Sequence, residues 1–220
     1  LPHYAPYMAA IAPVIRLRDI VPGAAWLNEK LTGFTARRPL PRWQRKWFRD
    51  NELPQTPNEV IIPTTEKPPL LLFIDSFNRY FEPENLRAAI RVFRATGYDV
   101  FVPPPPDSGR PLCCGRTYLS TGLIDPARDE AGRLATTLAP FARAGIPIVG
   151  LEPSCTLALR DEIPALLSNQ DSKDVALATL TFEELLARDK PSLSLRSNKS
   201  RALLHGHCHQ KAFDAVKPIE

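Results

Sequence analysis

The chain has 220 residues, with 28 lysines and arginines against 24 aspartates and glutamates, so its formal net charge is +4. A chain of this length can bury one substantial core, and four cysteines are too few for a disulfide-stapled scaffold. No apolar run approaches the roughly 20 residues that a membrane-spanning helix needs. The 24 prolines are about twice the usual share and indicate many connecting segments.

The positive charge is concentrated at the beginning of the chain. Residues 1–50 hold nine lysines or arginines against three acids, whereas residues 51–220 hold 19 against 21. Trp43 and Trp47 lie among these basic residues with the i, i+4 spacing of one helix face. We predict that residues 1–65 form a basic, proline-rich helical connector that packs on its own polypeptide. A surface for anionic lipid or an acidic partner is the alternative, and no nucleic-acid motif accompanies the charge.

From residue 66 onward, short apolar runs alternate with segments of helical periodicity. The pattern predicts strands at residues 70–74, 98–102, 146–151, 175–178 and 201–205, and helices at 83–96, 125–144, 156–167 and 181–187. Alternating elements of this length indicate an α/β domain over residues 66–220. We expect an open, mostly parallel sheet with helices on both faces.

Two adjacent cysteines followed by a glycine, Cys113-Cys114-Gly115, are the most unusual motif of the chain. A disulfide between neighbouring residues is strained, and one zinc ion is rarely bound by neighbours. Gly115 would allow a positive φ and a sharp turn. Cys155 and Cys208 each follow an apolar run. Because the carboxyl ends of parallel strands share one edge of a sheet, we expect all four cysteines to meet there. Two buried apolar cysteines remain the simpler interpretation.

Four stretches, residues 72–77, 113–116, 150–155 and 205–211, together resemble a known family. It is the cysteine-rich CCG domain of heterodisulfide-reductase and glycolate-oxidase iron–sulfur subunits. That pattern is one cysteine, then Cys-Cys-Gly, then Cys-x-x-Cys, usually in tandem copies. The resemblance is strongest to the C-terminal iron–sulfur part of large FAD- and Fe–S-containing D-2-hydroxyacid dehydrogenases, which are FAD-linked oxidase fusions.

The resemblance implies an iron–sulfur cluster, with Cys113, Cys114, Cys155 and Cys208 as its ligands. Ser76 stands where the family has its first cysteine, and Glu152 replaces the first member of Cys-x-x-Cys. We expect hydrogen-bonding or proton-transfer roles around the cluster for Ser76, Glu152, His205, His207 and His209. The second copy begins at Cys208, so we expect the chain to be a piece of a longer protein with an incomplete second motif.

The implied function is electron transfer within a flavin-dependent dehydrogenase of a D-2-hydroxy acid such as lactate, glycolate or 2-hydroxyglutarate. Electrons would pass from FAD through clusters to an acceptor such as a quinone or a redox protein. The FAD and ferredoxin-type domains would lie elsewhere in the same polypeptide, since no glycine-rich dinucleotide fingerprint is present here. We expect a cytoplasmic location, with contact at the inner face of the membrane as an option, and no dehydrogenase activity from this segment alone.

Three other functions compete with electron transfer. The replaced cysteines at Ser76 and Glu152 favour a zinc-bearing or metal-free interaction module. The alternating His205, His207 and His209 are typical of dinuclear zinc hydrolases, although His3 is the only other histidine. A thiol–disulfide catalyst is disfavoured because Cys113 and Cys114 lack the Cys-x-x-Cys spacing.

Overall fold

The computed structural model of the protein describes residues 3–54, 67–104, 106, 110–195 and 200–219. The boundary predicted between residues 65 and 66 lies outside these residues. The strands are β1 (Pro69–Phe73), β2 (Asp99–Phe101), β3 (Ile148–Gly150) and β4 (Thr179–Thr181). The α-helices are α1 (Ala5–Ala10), α2 (Ala12–Ile20), α3 (Ala24–Thr32), α4 (Ser76–Tyr80), α5 (Pro83–Ala95), α6 (Arg116–Leu119), α7 (Ile124–Arg143), α8 (Pro153–Ala158), α9 (Glu162–Leu167), α10 (Gln170–Ala178), α11 (Phe182–Asp189) and α12 (Cys208–Ala212). Short 3-10 helices cover Asp50–Glu52 and Lys217–Ile219.

The four strands form one parallel sheet in the order β2-β1-β3-β4. β1 is central, and successive side chains of a strand point to opposite faces. Leu71 therefore packs in one buried cluster with residues of α7 and α9, whereas Leu72 packs in the other with residues of α5. Helices thus cover both faces, and the predicted α/β fold with an open parallel sheet is confirmed.

Two predicted strands are wrong. Residues 175–178 belong to α10, which Asn169 caps by accepting a hydrogen bond from the Ser172 amide at 2.9 Å, and the strand β4 follows directly afterwards. Residues 201–205 pair with none of the four strands. Their two leucines, Leu203 and Leu204, are exposed, so the apolar burial that would stabilise a strand is missing.

The first part of the chain packs on α4, but Trp43 and Trp47 do not lie on a helix. The backbone amide of Gln44 donates to the Tyr80 carbonyl at 2.8 Å, and that of Phe48 donates to the Arg79 carbonyl at 2.9 Å. These bonds hold residues 43–48 in a non-helical path, which corrects the helix predicted from the i, i+4 spacing. Trp47 still packs on Tyr80, with ring centroids 5.2 Å apart.

Phe48 provides a test of this docking, because its side chain is fully buried between the leading segment and the sheet. We expect Phe48→Ala to lower the free energy of unfolding by about 3–5 kcal/mol, as for other buried phenylalanines. Phe34→Ala, at an exposed position of the same segment, should change it by less than about 0.5 kcal/mol. Urea unfolding followed by fluorescence measures both. Equal effects would show that the segment is not docked in solution.

Gly150, at the end of β3, leaves room for the Thr156 side chain. A Cβ atom added at Gly150 would overlap the Thr156 hydroxyl. We expect Gly150→Ala to destabilise the protein by about 1–3 kcal/mol through overpacking. Gly132→Ala is the matched control, because position 132 lies inside α7 with open space around it and should gain about 0.5–1 kcal/mol. A Gly150→Ala protein whose free energy of unfolding equals that of the parent would contradict the close packing of α8 on β3.

Candidate functional site

A cavity of about 210 Å³ opens at the carboxyl edge of the sheet and brings together three of the four cysteines. β1 leads into Asp75 and Ser76, and β3 leads into the helix that carries Cys155. The long connection after β2 returns across the same edge with Cys113 and Cys114. The complete lining is Asp75, Ser76, Phe77, Cys113, Cys114, Arg116, Thr117, Ser120, Ser154 and Cys155.

Cys114 links the three thiols of this cavity. Cys114 is hydrogen-bonded to both Cys113 and Cys155, and each side chain is only 5 or 6% exposed. The bond with Cys114 and then burial raise the pKa of the Cys113 thiol far above its ordinary value. Bonding to Cys113 lowers the pKa of Cys114, but bonding to Cys155 and burial outweigh it and raise the net value. The bond to Cys114 lowers the pKa of Cys155, but burial together with the nearby Asp75, Cys113 and Glu152 outweighs it and raises the net value.

Asp75 lines the cavity next to Ser76. Its carboxylate caps α4, since it accepts from the amides of Phe77 at 2.9 Å and Asn78 at 2.8 Å, and from the Asn78 side chain at 2.7 Å. Burial raises the pKa of Asp75 despite these bonds, and the nearby Glu152 raises it further. Ser76 is buried and lines the same cavity, close to the position where the family resemblance expects a cysteine.

The loop that carries Cys113 and Cys114 is held against α7. Gly115 has φ +74°, and a Cβ atom there would lie 3.0 Å from the Ala127 carbonyl oxygen, so the positive φ expected at this glycine is confirmed. Upstream, Arg110 forms an ion pair with the buried Glu130. Arg133 also pairs with Glu130 at 3.0 Å and donates to the Arg110 carbonyl at 3.1 Å. This ionic cluster was not predicted from the sequence, although Glu130 and Arg133 have helical i, i+3 spacing.

Cys155 is positioned by the first turn of α8. Glu152 caps that helix by accepting from the Ser154 amide at 3.3 Å and its hydroxyl at 2.8 Å. The Thr156 hydroxyl donates to the Glu152 carbonyl at 2.8 Å. Glu152 does not line the thiol cavity, so its carboxylate shapes the helix that presents Cys155.

Cys208 and the three histidines lie apart from the buried thiols. Cys208 is exposed at the start of α12 and is not part of the cavity lining, and His205 is exposed ahead of it. His207 caps α12, because its Nδ1 accepts from the His209 amide at 3.2 Å. The helix begins at Cys208, directly after His207.

His209 reaches back toward the cavity through Arg116. Its Nδ1 lies 2.8 Å from Arg116 Nη1, and its Nε2 lies 3.4 Å from Glu162 Oε1. Donor atoms of Asp161, Glu162 and His209 all lie within 4.8 Å of one another, which is a geometry that could hold a cation. However, Arg116 Nη1 is 2.9 Å from Glu162 Oε1, so a guanidinium already supplies the positive charge there. Arg116 was not predicted as a site residue.

The fold and the site define an α/β domain with a buried group of thiols at the carboxyl edge of its parallel sheet. Over 211 residues, the chain is 26% identical to one subunit of the anaerobic glycerol-3-phosphate dehydrogenase of two Escherichia coli strains, covering 91% of this chain and 49% of that protein. Over 153 residues, it is 29% identical to the D-2-hydroxyglutarate dehydrogenase of Pseudomonas putida, covering 69% of this chain and 14% of that protein.

The chain spans about half the length of the E. coli relative and a smaller part of the P. putida relative. Both relatives are named as dehydrogenases, the first as part of an assembly of several chains. No protein-family model matches the chain, and no solved structure matches it. Within the described residues, no helix is both long and apolar enough to cross a membrane.

The difference in burial between the thiols predicts their order of chemical reactivity. Iodoacetamide should modify Cys208 of the metal-free, folded chain well before the other three cysteines, because Cys208 is exposed and the raised pKa of the buried thiols keeps them protonated. Mass spectrometry of digested samples follows each site, and a sample unfolded in urea serves as the control. Modification of Cys114 as early as Cys208 would contradict the buried arrangement.

Proposed function

We propose that this chain is the iron–sulfur electron-transfer domain of a flavin-dependent dehydrogenase acting on a D-2-hydroxy acid or a similar alcohol. The observation that carries the proposal is the convergence of the buried side chains of Cys113, Cys114 and Cys155 in one cavity. Iron–sulfur clusters are held by cysteine thiolates, and these side chains supply that type of donor. The names of the two relatives support an oxidoreductase role.

The cavity fits an iron–sulfur cluster in two respects: it offers thiol donors, and hydroxyl groups surround them. Cys114 lies between the other two thiols, so adjacent sulfurs can reach different irons of one cluster. Ser76, Thr117 and Ser120 add hydroxyl groups to the lining, and hydrogen bonds to cluster sulfurs tune reduction potentials. When bound, the cluster would supply one-electron transfer. The chain's own part is to hold the thiols, to exclude water from them and to place Arg116 beside them.

The exposed apolar surface of the leading segment supports the proposal that a partner domain or a partner protein binds there. Residues 4–34 contain three lysines or arginines and two acids, so this surface is nearly neutral and favours a protein over anionic lipid. Large exposed apolar patches mark interaction sites. We propose that the FAD or ferredoxin-type part of the same enzyme covers the apolar surface of residues 4–34. The large exposed apolar residues are Tyr4, Tyr7, Ile11, Val14, Leu17, Ile20, Val21, Trp26, Leu27, Leu31 and Phe34.

A zinc-bearing interaction module is the second candidate, and one observation favours it. Cys208, the fourth sulfur, does not line the cavity, but the Asp75 carboxylate does, and zinc accepts a mixed set of sulfur and carboxylate ligands. Binding of either metal must displace protons from the thiols. The identity of the metal that the chain retains, iron or zinc, therefore distinguishes the two proposed functions.

Anaerobic reconstitution with iron and sulfide tests the proposal. The chain should bind iron, gain a broad visible absorbance and give a paramagnetic signal on reduction, and Cys114→Ser should lose most of each, since Cys114 contacts both other thiols. Ser120→Ala is the matched control, because it changes the same lining without removing a sulfur. Stoichiometric zinc binding by a chain that retains no iron would overturn electron transfer in favour of the interaction module.

A further inference from the structure

Arg116 is the side chain that connects the thiol cavity with the segment carrying Cys208. It lines the cavity, and its Nη1 contacts three helices that follow it in the chain. Nη1 donates to the Ser154 carbonyl of α8 at 3.3 Å, lies 2.9 Å from Glu162 Oε1 of α9 and lies 2.8 Å from His209 Nδ1 of α12. The Arg116 guanidinium therefore links the cavity that holds Cys113, Cys114 and Cys155 with the helix that begins at Cys208.

The helix that bears Cys208 depends on such tertiary contacts. α12 spans only Cys208–Ala212, and a helix of this length is not stable by itself. Gln210 is buried and accepts from the His207 amide at 3.0 Å, while His209 packs edge-on against Phe213. These two contacts are local to the helix and its ends, whereas the contact of His209 with Arg116 joins the helix to the cavity lining.

We propose that Arg116 is a positioning residue that fixes the Cys208-bearing helix beside the thiol cavity and supplies a positive charge to a cluster bound there. The anchoring of the helix by Arg116 is a property of the metal-free chain. The effect of the charge rests on the proposed function. A nearby cation stabilises the reduced, more negative form of a cluster, so Arg116 should raise its reduction potential.

Hydrogen exchange of the metal-free chain tests the anchoring. In Arg116→Gln, amides of residues 208–213 should exchange about tenfold faster, because a hydrogen bond to a charged group is worth at least about that factor. Arg116→Lys should show a similar increase, since the lysine nitrogen ends one bond short of the position of Nη1, from which all three contacts are made. Arg128→Gln removes an exposed arginine paired with Asp125 at 3.2 Å on α7 and should leave these amides unchanged.

The reduction potential of the reconstituted chain tests the charge. It should shift downward in Arg116→Gln and stay near that of the parent in Arg116→Lys and Arg128→Gln. A purely structural role would give the same shift in both Arg116 variants. Unchanged exchange in the folded Arg116 variants, or an unchanged potential in Arg116→Gln, would overturn the proposal. If the parent itself retains no iron, the electron-transfer function fails, while the exchange result still decides the anchoring.

Discussion

The parallel register of β1 against β3 determines where the side chains of the site can lie. Phe73 pairs with Gly150, so the two strands end at the same level. The turn after β1 then provides Asp75, and the helix that follows β3 provides Cys155, within one cavity. Because a shift of one residue would exchange the faces of a strand, the same register also fixes the two buried clusters. The position of the thiols is therefore a consequence of how the core packs.

The site combines an apolar setting with groups that are costly to bury. Cys114 and Cys155 belong to the same buried cluster as Leu71 and Phe73, which keeps the thiols protonated without a metal. Asp75 lies buried beside them, and its raised pKa reflects the same low-dielectric setting. A metal entering this cavity would release protons and gain sulfur ligands that already face one another. The three thiols are thus already brought together in the metal-free chain.

The sequence predicted those parts of the molecule that depend on local pattern. The strands around residues 70–74 and 146–151, the helices α5 and α7, and the turn at Gly115 follow from apolar spacing and glycine chemistry, and the structure has them within a few residues. The non-helical path of residues 43–48 depends on carbonyls of α4, and the role of Arg116 depends on α8, α9 and α12. Such contacts between distant segments leave no periodicity to detect. The roles of Cys208, Ser76 and Glu152 rest on a family resemblance that local pattern does not test.

We propose that iron binds to the thiols at the carboxyl edge of the sheet. Anomalous diffraction at the iron absorption edge, from crystals of the anaerobically reconstituted chain, locates the metal directly. We expect iron density in the cavity, within bonding distance of Cys113, Cys114 and Cys155. Density confined to the oxygen and nitrogen donors of Asp161, Glu162 and His209, with the thiols unligated, would contradict it.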